Sequence, residues 1–376
     1  MRKTSNLASA ALLATAGLLT GCVTGKASES TTLKDAYQND FLIGVAINEK
    51  QFTDGDQRGD PIIKAQFNCI SPENALKWAS IHPDPGPNGY NFGPADQYVE
   101  FGEKNHMTIV GHTLVWHNQT PRWVFRDSNG KPVTREVLLE RMRDHIHTVV
   151  GRYQGRIKIW DVVNEALNED GTLRPSPWEK IIGPDYIEKA FQYAHEADPN
   201  AILRYNDFSL EKTPKRNGAI ALIKKLQAEG IPVTAIGLQD HDQMDWPTVE
   251  QEDATISAFA ALGLKVMVTE LDVNVLGGKQ TAEITEMANQ GGSNIYTNGL
   301  PPVVQQQLAE RYADLFRVFV KHHNDISLVT FWGVTDGDSW LNMRGRVNHP
   351  LLFDRAGNPK PAFDAVIQAA QPANSK

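Results

Sequence analysis

The stretch IKIWDVVNEALNED, residues 157–170, opens as a buried strand and closes on an acid. Ile157, Ile159, Trp160, Val162 and Val163 form a nearly continuous apolar run, the habit of a strand covered on both faces. Asn164 and Glu165 stand where that run stops. Seven other runs have the same form: FLIGVAI from 41, FNCIS from 67, TIVGHTLVW from 108, AILRY from 201, TAIGL from 234, KVMVTELDV from 265 and LVTFWGV from 328. Amphipathic stretches separate them. Leu138, Met142, Ile146, Val149 and Tyr153 recur every three or four residues, with Thr134 placed as their N-cap. Ala219, Ile223 and Leu226 repeat the pattern, as do Val304, Leu308, Tyr312, Leu315 and Phe319. Eight strand–helix alternations predict one α/β domain, a (β/α)8 TIM barrel. The C-terminal ends of barrel strands face the active-site mouth, so Glu165 is placed to do chemistry.

The rest of the composition fits a large globular domain. The chain has 376 residues, 41% hydrophobic and 22% charged, with a net charge of −8. That balance carries no basic stripe, so a nucleic-acid partner is not expected. At the N-terminus, Arg2 and Lys3 precede LASAALLATAGLLTGC, too short an apolar run for a spanning helix and shaped like a signal peptide. Its end, Leu19-Thr20-Gly21-Cys22, resembles a bacterial lipobox, which implies lipidation of Cys22 and anchoring to the cell envelope, the outer membrane being the expected one. The expected boundaries are a signal peptide over 1–21, a polar tether over 22–34 and the barrel over 35–372, acting as a monomer. Cys69 is the only other cysteine; its apolar frame marks it as a small buried hydrophobe, and no disulfide framework exists.

The other strand ends repeat the habit of Glu165. The second run leads into Glu73, Asn74 and Lys77; the third carries His112, Trp116, His117 and Gln119. The fifth ends in Tyr205-Asn206-Asp207, the sixth gives Gln239 and His241, and the seventh gives Glu270 and Asp272. Trp332 and Trp340 close the series. Glutamates on the fourth and seventh strands face each other across a barrel mouth. Two opposed carboxyls suit glycoside hydrolysis: one stabilises an oxocarbenium-like transition state while the other protonates the leaving oxygen. Indoles match the flat C–H faces of sugars, and amides, imidazoles and an ammonium match their hydroxyls.

At these residues the chain resembles the glycoside hydrolase family 10 endo-β-1,4-xylanases. SPENALKW, GHTLVWHNQTPRWV, WDVVNEALNEDG, YNDFSLE, GLQDHD, VMVTELDV and WGVTDGDSW stand in that family's order, and PLLFD and PKPAF close the domain. The resemblance runs from about residue 33 to 370. It implies Glu165 as acid/base and Glu270 as nucleophile, with His241 holding the nucleophile and Asn164 bonding the sugar 2-hydroxyl beside it. It further implies glycone-side contacts from Glu73, Asn74, Lys77 and His112, with Trp116 and Gln119 around the reacting sugar. Trp332 and Trp340 would cover the glycone sites, and Tyr205 and Asn206 would form the rim of the leaving-group side. Gln239 joins the substrate-binding set from its strand end. Retention follows from the family, with the two carboxyls about 5–5.5 Å apart. Two carboxyls that close cannot comfortably both ionise, so Glu270 is expected charged and Glu165 protonated. No cofactor or metal is expected.

NVLGGKQTAEITEMANQGGSNIYTNGL, residues 274–300, is longer than the family's usual connection and reads as a rim loop. Arg344 and Arg346 beyond Trp340 have no assigned part. Two other classes stay open at this level. A metal-dependent barrel hydrolase would draw on His112, His117 or the HIH at 145–147. However, His112 and His117 are expected on opposite faces of one strand, and His145 and His147 on opposite sides of a helix. Resistance to chelators separates that class. A non-catalytic xylo-oligosaccharide-binding lipoprotein would hold its sugar uncleaved.

Overall fold

The computed structural model of the chain describes residue 1, residues 31–277 and residues 294–370. Each apolar run becomes a barrel strand: β1 Leu42–Ile47, β2 Cys69–Pro72, β3 Thr108–Gly111, β4 Ile159–Asn164, β5 Ile202–Asp207, β6 Ala235–Leu238, β7 Lys265–Asn274 and β8 Ile326–Phe331. Neighbours in sequence pair in parallel all the way round, and β8 pairs with both β7 and β1, which closes the barrel. All six residues of β4 are buried, as the continuous run requires of a strand covered by helices outside and side chains inside.

The interior is filled in layers. Cys69, Val110, Ile159, Ala235, Met267 and Leu328, one from each of six strands, form an apolar cluster separate from the main core. Strand β5 supplies Arg204, whose Nη1 lies 3.2 Å from the Met267 sulfur. Its Nε and Nη2 donate to the two oxygens of Asp161, at 2.6 and 2.9 Å. The layer below the mouth is thus an ion pair, hydrogen-bonded on both sides, the condition under which buried charges are tolerated. Cys69 is buried and free, as its frame implies.

Helices cover the outside where the periodicity places them. Arg135–Arg152 starts at Thr134, whose hydroxyl accepts from the Val137 N–H, and it buries Leu138, Met142, Ile146 and Val149. Thr213–Ala228 buries its stripe, and Pro302–Lys321 buries Leu308, Tyr312, Leu315 and Phe319, with Val304 at its start only half-buried. Within the first of these helices, His145 is buried and stacked 3.6 Å from Trp78, while His147 turns outward to Glu196.

Two expectations require correction. The run TIVGHTLVW is not one strand: β3 stops at Gly111, and only Val115–Trp116 pairs again, with the end of β4. The break lets the His112 imidazole reach Asp161 and the Leu114 N–H reach the Asp161 carbonyl. His112 and His117 therefore do not share a strand. The ordered domain also begins earlier than residue 35. Thr32 caps a short helix, Leu33–Ala36; Leu33 is fully buried, and its N–H donates to Gln66 at 2.9 Å. The expected tether thus loses its last residues to the fold, because Leu33 has an apolar seat and Tyr37 just beyond it bonds the Val366 carbonyl. Cys22 and the signal segment lie outside the described residues.

Candidate active site

The strand ends enclose a cleft of about 270 Å³. Thirteen of the fifteen residues expected to carry or bind substrate line it: Glu73, Asn74, Lys77, His112, Trp116, Gln119, Asn164, Glu165, Gln239, His241, Glu270, Trp332 and Trp340. The chain folds this way locally because most of these side chains lie at or just after the end of a strand whose register is set by its neighbours, with Lys77, Gln119 and Trp340 reaching in from the loops beyond. Glu165 has φ +56°, a left-handed turn that L residues adopt at a cost of about 1–2 kcal/mol. That turn takes the carboxyl out of the strand direction.

Glu165 is surrounded by neutral donors. Trp116 Nε1 donates to its Oε2 at 2.8 Å; Gln239 Nε2 and Asn164 Nδ2 donate to its Oε1 at 3.1 and 3.3 Å. Burial raises its pKa, the negative charge of Asp207 raises it further, and the Trp116 and Gln239 bonds pull it back only in part. The charge of Glu270 ranks behind all of these. The mutual repulsion expected from the sequence is therefore a minor influence; depth and Asp207 decide.

Glu270 is as deeply buried but meets a cation. His241 Nε2 lies 3.2 Å from its Oε2, and His241 Nδ1 lies 3.1 Å from Asp272. Burial alone would lower the pKa of His241, but the charge and hydrogen bond of Asp272, joined by those of Glu270, raise it to about 10. The ring is thus an imidazolium clamped between two carboxylates. Burial pushes the Glu270 pKa up, yet the hydrogen bond from His241 and the charges of His112 and His241 outweigh it and leave the carboxyl below its ordinary value. Trp340 Nε1 donates to the free oxygen of Asp272 at 2.7 Å, which extends the clamp to the wall of the cleft.

Asn206 joins the two acids from below. Its Nδ2 donates to Glu270 Oε1 and to Asn164 Oδ1, both at 2.9 Å, and its Oδ1 accepts from Thr269 at 2.7 Å. Gly237 makes room for this: a Cβ there would stand 2.2 Å from Asn206 Oδ1. Asn206 and Tyr205 are fully buried, so neither forms the rim of the leaving-group side, contrary to expectation. The Tyr205 hydroxyl donates to Asp207 at 2.5 Å and accepts from the Ala166 N–H at 3.1 Å. Both residues brace the site from underneath, since polar groups this deep must bond each other.

The outer cleft matches the sugar-facing set. Asn74 Oδ1 accepts from Lys77 and Gln119, each at 3.2 Å, and the Lys77 ammonium sits 5.1 Å from the Trp116 ring. Burial holds the Lys77 pKa below its usual value, against the pull of Glu270, Glu73 and Glu165. Burial likewise raises Glu73 to about 7. Trp332 stands edge-on to His112 at 5.5 Å, and Trp340 lies 4.8 Å from His241. His112 and His241 each hold an aspartate through Nδ1, and among the described residues no group of three His, Cys, Asp or Glu side chains with metal-ligand spacing includes a cleft histidine. Arg346 does not line the cleft; the Arg344 side chain and most of the long segment after β7 lie outside the described residues.

Four supporting residues were not assigned from the sequence: Asp161, Arg204, Asp207 and Asp272. Their signal was a charge inside or just at the end of an apolar run, as in IWDVV, ILRY, YND and TELDV. Such a charge requires a buried partner, but one strand does not reveal which other strand supplies it.

The comparisons with known proteins agree with this geometry. The glycosyl hydrolase family 10 profile matches residues 32–369. The chain is 43% identical over 359 residues to endo-1,4-beta-xylanase A of Xylanibacter ruminicola, covering 94% of this chain and 97% of that protein. It is 40% identical over 349 residues to a beta-1,4-xylanase of Dictyoglomus thermophilum, covering 91% of this chain and 92% of that one. A GH10 endoxylanase retrieved from a sugarcane soil metagenome superposes with a TM-score of 0.83 at 42% identity, over 91% of this chain and 100% of that structure. The chain belongs to glycosyl hydrolase family 10.

Proposed function

We propose that this chain is a retaining endo-β-1,4-xylanase that cleaves internal β-1,4 bonds of xylan, with Glu270 as nucleophile and Glu165 as acid/base. The observation that carries the assignment is the opposite environment of the two buried acids: an imidazolium on Glu270, neutral donors and a buried anion around Glu165. In the first step the Glu270 carboxylate attacks the anomeric carbon while Glu165 gives its proton to the leaving oxygen. Glu165 is left ionised by that proton transfer, esterification removes the smaller upward pull of the Glu270 charge on its pKa, and Glu165 then takes a proton from the water that attacks the ester. Asn164, bonded to Asn206 and beside Glu165, offers its amide to the 2-hydroxyl. Trp332 and Trp340 stack on xylose and crowd the hydroxymethyl group that glucose would bring. The xylanase names of the relatives, at about 40% identity over almost the whole chain, support xylan as substrate.

Glu165→Ala tests the roles. Xylan cleavage should fall by about 10²–10⁴-fold, since its leaving group needs the proton. An aryl xylobioside with an acidic phenol should give a burst followed by a slow phase, as the glycosyl ester on Glu270 accumulates. Azide should speed turnover and yield the β-glycosyl azide. An α-azide, or azide rescue of Glu270→Ala but not of Glu165→Ala, reverses the assignment.

For the N-terminus we infer lipidation at Cys22 and attachment to the bacterial envelope, on the strength of Leu19-Thr20-Gly21-Cys22 after a charged and apolar leader. Lipid labelling and membrane fractionation of the wild type and Cys22→Ser provide the check. A wild type that carries no lipid and fractionates free of membrane defeats this reading.

A further inference from the structure

Away from the cleft lining, three buried acids converge that take no part in the catalytic network. Glu211 follows β5, Asp240 follows β6 and Glu252 lies in the helix Val249–Ala260. Each is at most 2% exposed. One carboxylate oxygen from each lies within 4.8 Å of the others, a spacing that fits oxygens each about 2.4 Å from one shared ion. Both oxygens of Asp240, both of Glu252 and Oε1 of Glu211 have no hydrogen-bond partner. Buried polar groups are normally satisfied, and an unsatisfied buried carboxylate is among the most costly to leave so.

The cations nearby are engaged elsewhere. Arg311 donates to Asp242 Oδ2 at 3.0 Å, Lys215 lies 2.8 Å from Asp207, Arg216 donates to Thr255 at 2.9 Å, and Lys212 pairs with Glu169. Asp242 adds a fourth buried carboxylate whose Oδ1 is also unpartnered. The charges of Lys215, Lys212 and Arg216 reach Glu211, and that of Arg311 reaches Asp240 and Glu252, yet none of these cations donates to the five unpartnered oxygens of Glu211, Asp240 and Glu252.

We propose that Glu211, Asp240 and Glu252 form a buried site for one divalent cation of the hard, oxygen-seeking class, calcium before magnesium. An all-carboxylate donor set with no sulfur or imidazole suits that class, and adaptable side chains from three separate elements suit calcium better than the stricter octahedron of magnesium. Burial raises all four acids, and neighbouring carboxyls reinforce it at Asp240, Glu252 and Asp242, the last to about 8, whereas Lys215, Lys212 and Arg216 oppose it at Glu211; the balance favours protons when no cation is bound. A cation would displace those protons, so its affinity should rise with pH. The site is also placed to matter for the chemistry. The Asp240 carbonyl accepts from the Asp272 N–H at 3.2 Å, and Asp240 precedes His241, so an ion on Asp240 would steady the backbone that aligns the His241 clamp.

The test is calorimetric titration of the chelator-stripped full-length protein with CaCl2, MgCl2 and MnCl2 at two pH values, paired with thermal unfolding. The expected result is one calcium per chain, bound more tightly than magnesium and more tightly at the higher pH, with a rise in Tm. Glu252→Gln should weaken calcium by at least about tenfold. Wild-type protein that takes up none of the three ions at millimolar concentration, and shows no Tm change with them, overturns the proposal. So does calcium binding that Glu252→Gln leaves unchanged. If that variant does not fold, the wild-type stoichiometry and its pH dependence decide by themselves.

Discussion

Glu165 follows β4 and Glu270 lies on β7 at the same barrel mouth, and both are almost wholly buried, at 6% and 5% exposure. Their pKa values nevertheless move in opposite directions. Burial pushes each of them up by the same physics, the loss of water around a charge. What differs is the next group out. Behind Glu270 stands His241, whose own charge is held by Asp272; behind Glu165 stands Asp207, whose charge is held by Lys215 at 2.8 Å. Depth makes both acids sensitive, and the sign of the nearest buried charge decides which one keeps its proton. A pair of chemically identical side chains acquires two roles from the charges of His241 and Asp207 beside them.

That comparison can be broken at three points. The largest effect should come from His241→Asn, which leaves Glu270 without its cation. The Glu270 pKa then rises, so the acid limb of the kcat/KM profile should move to higher pH, and kcat should fall by about 10²–10³-fold. An acid limb that stays in place would mean that the imidazolium is not what keeps Glu270 ionised. Asp207→Asn acts on the other side with a smaller effect. Removing that anion makes Glu165 easier to ionise, its pKa falls, and the alkaline limb should move to lower pH by about one unit. A variant that is merely less stable would lose activity without moving that limb. The smallest change belongs to Trp116→Phe. The lost N–H stabilised the Glu165 carboxylate, so the Glu165 pKa should rise and the alkaline limb should move up by about a few tenths of a unit. A downward shift would show that burial around Trp116, rather than its hydrogen bond, dominates.

Much of this site was legible before folding was considered. Strand register in a closed parallel barrel places strand ends together, so any polar residue that terminates an apolar run is committed to the mouth. Glu165, His241, Glu270 and Trp332 follow from that rule, and the family resemblance distributes roles among them. Tyr205 and Asn206 obey the same rule and still lie elsewhere. They sit one layer down, because Gly237 opens a pocket beneath the acids that Asn206 fills.

Residue order alone thus determined the barrel, the covering helices and the list of groups at the mouth, because periodicity and run length are local properties of a chain. Tertiary structure decided which buried charges meet: Asp161 with Arg204, Asp207 with Lys215, Asp272 with His241, and the three acids of Glu211, Asp240 and Glu252 with one another. Those meetings depend on distances between elements far apart in sequence. Since electrostatic energy in a low-dielectric interior varies steeply with such distances, protonation states, and with them the division of labour between two glutamates, exist only in the folded molecule.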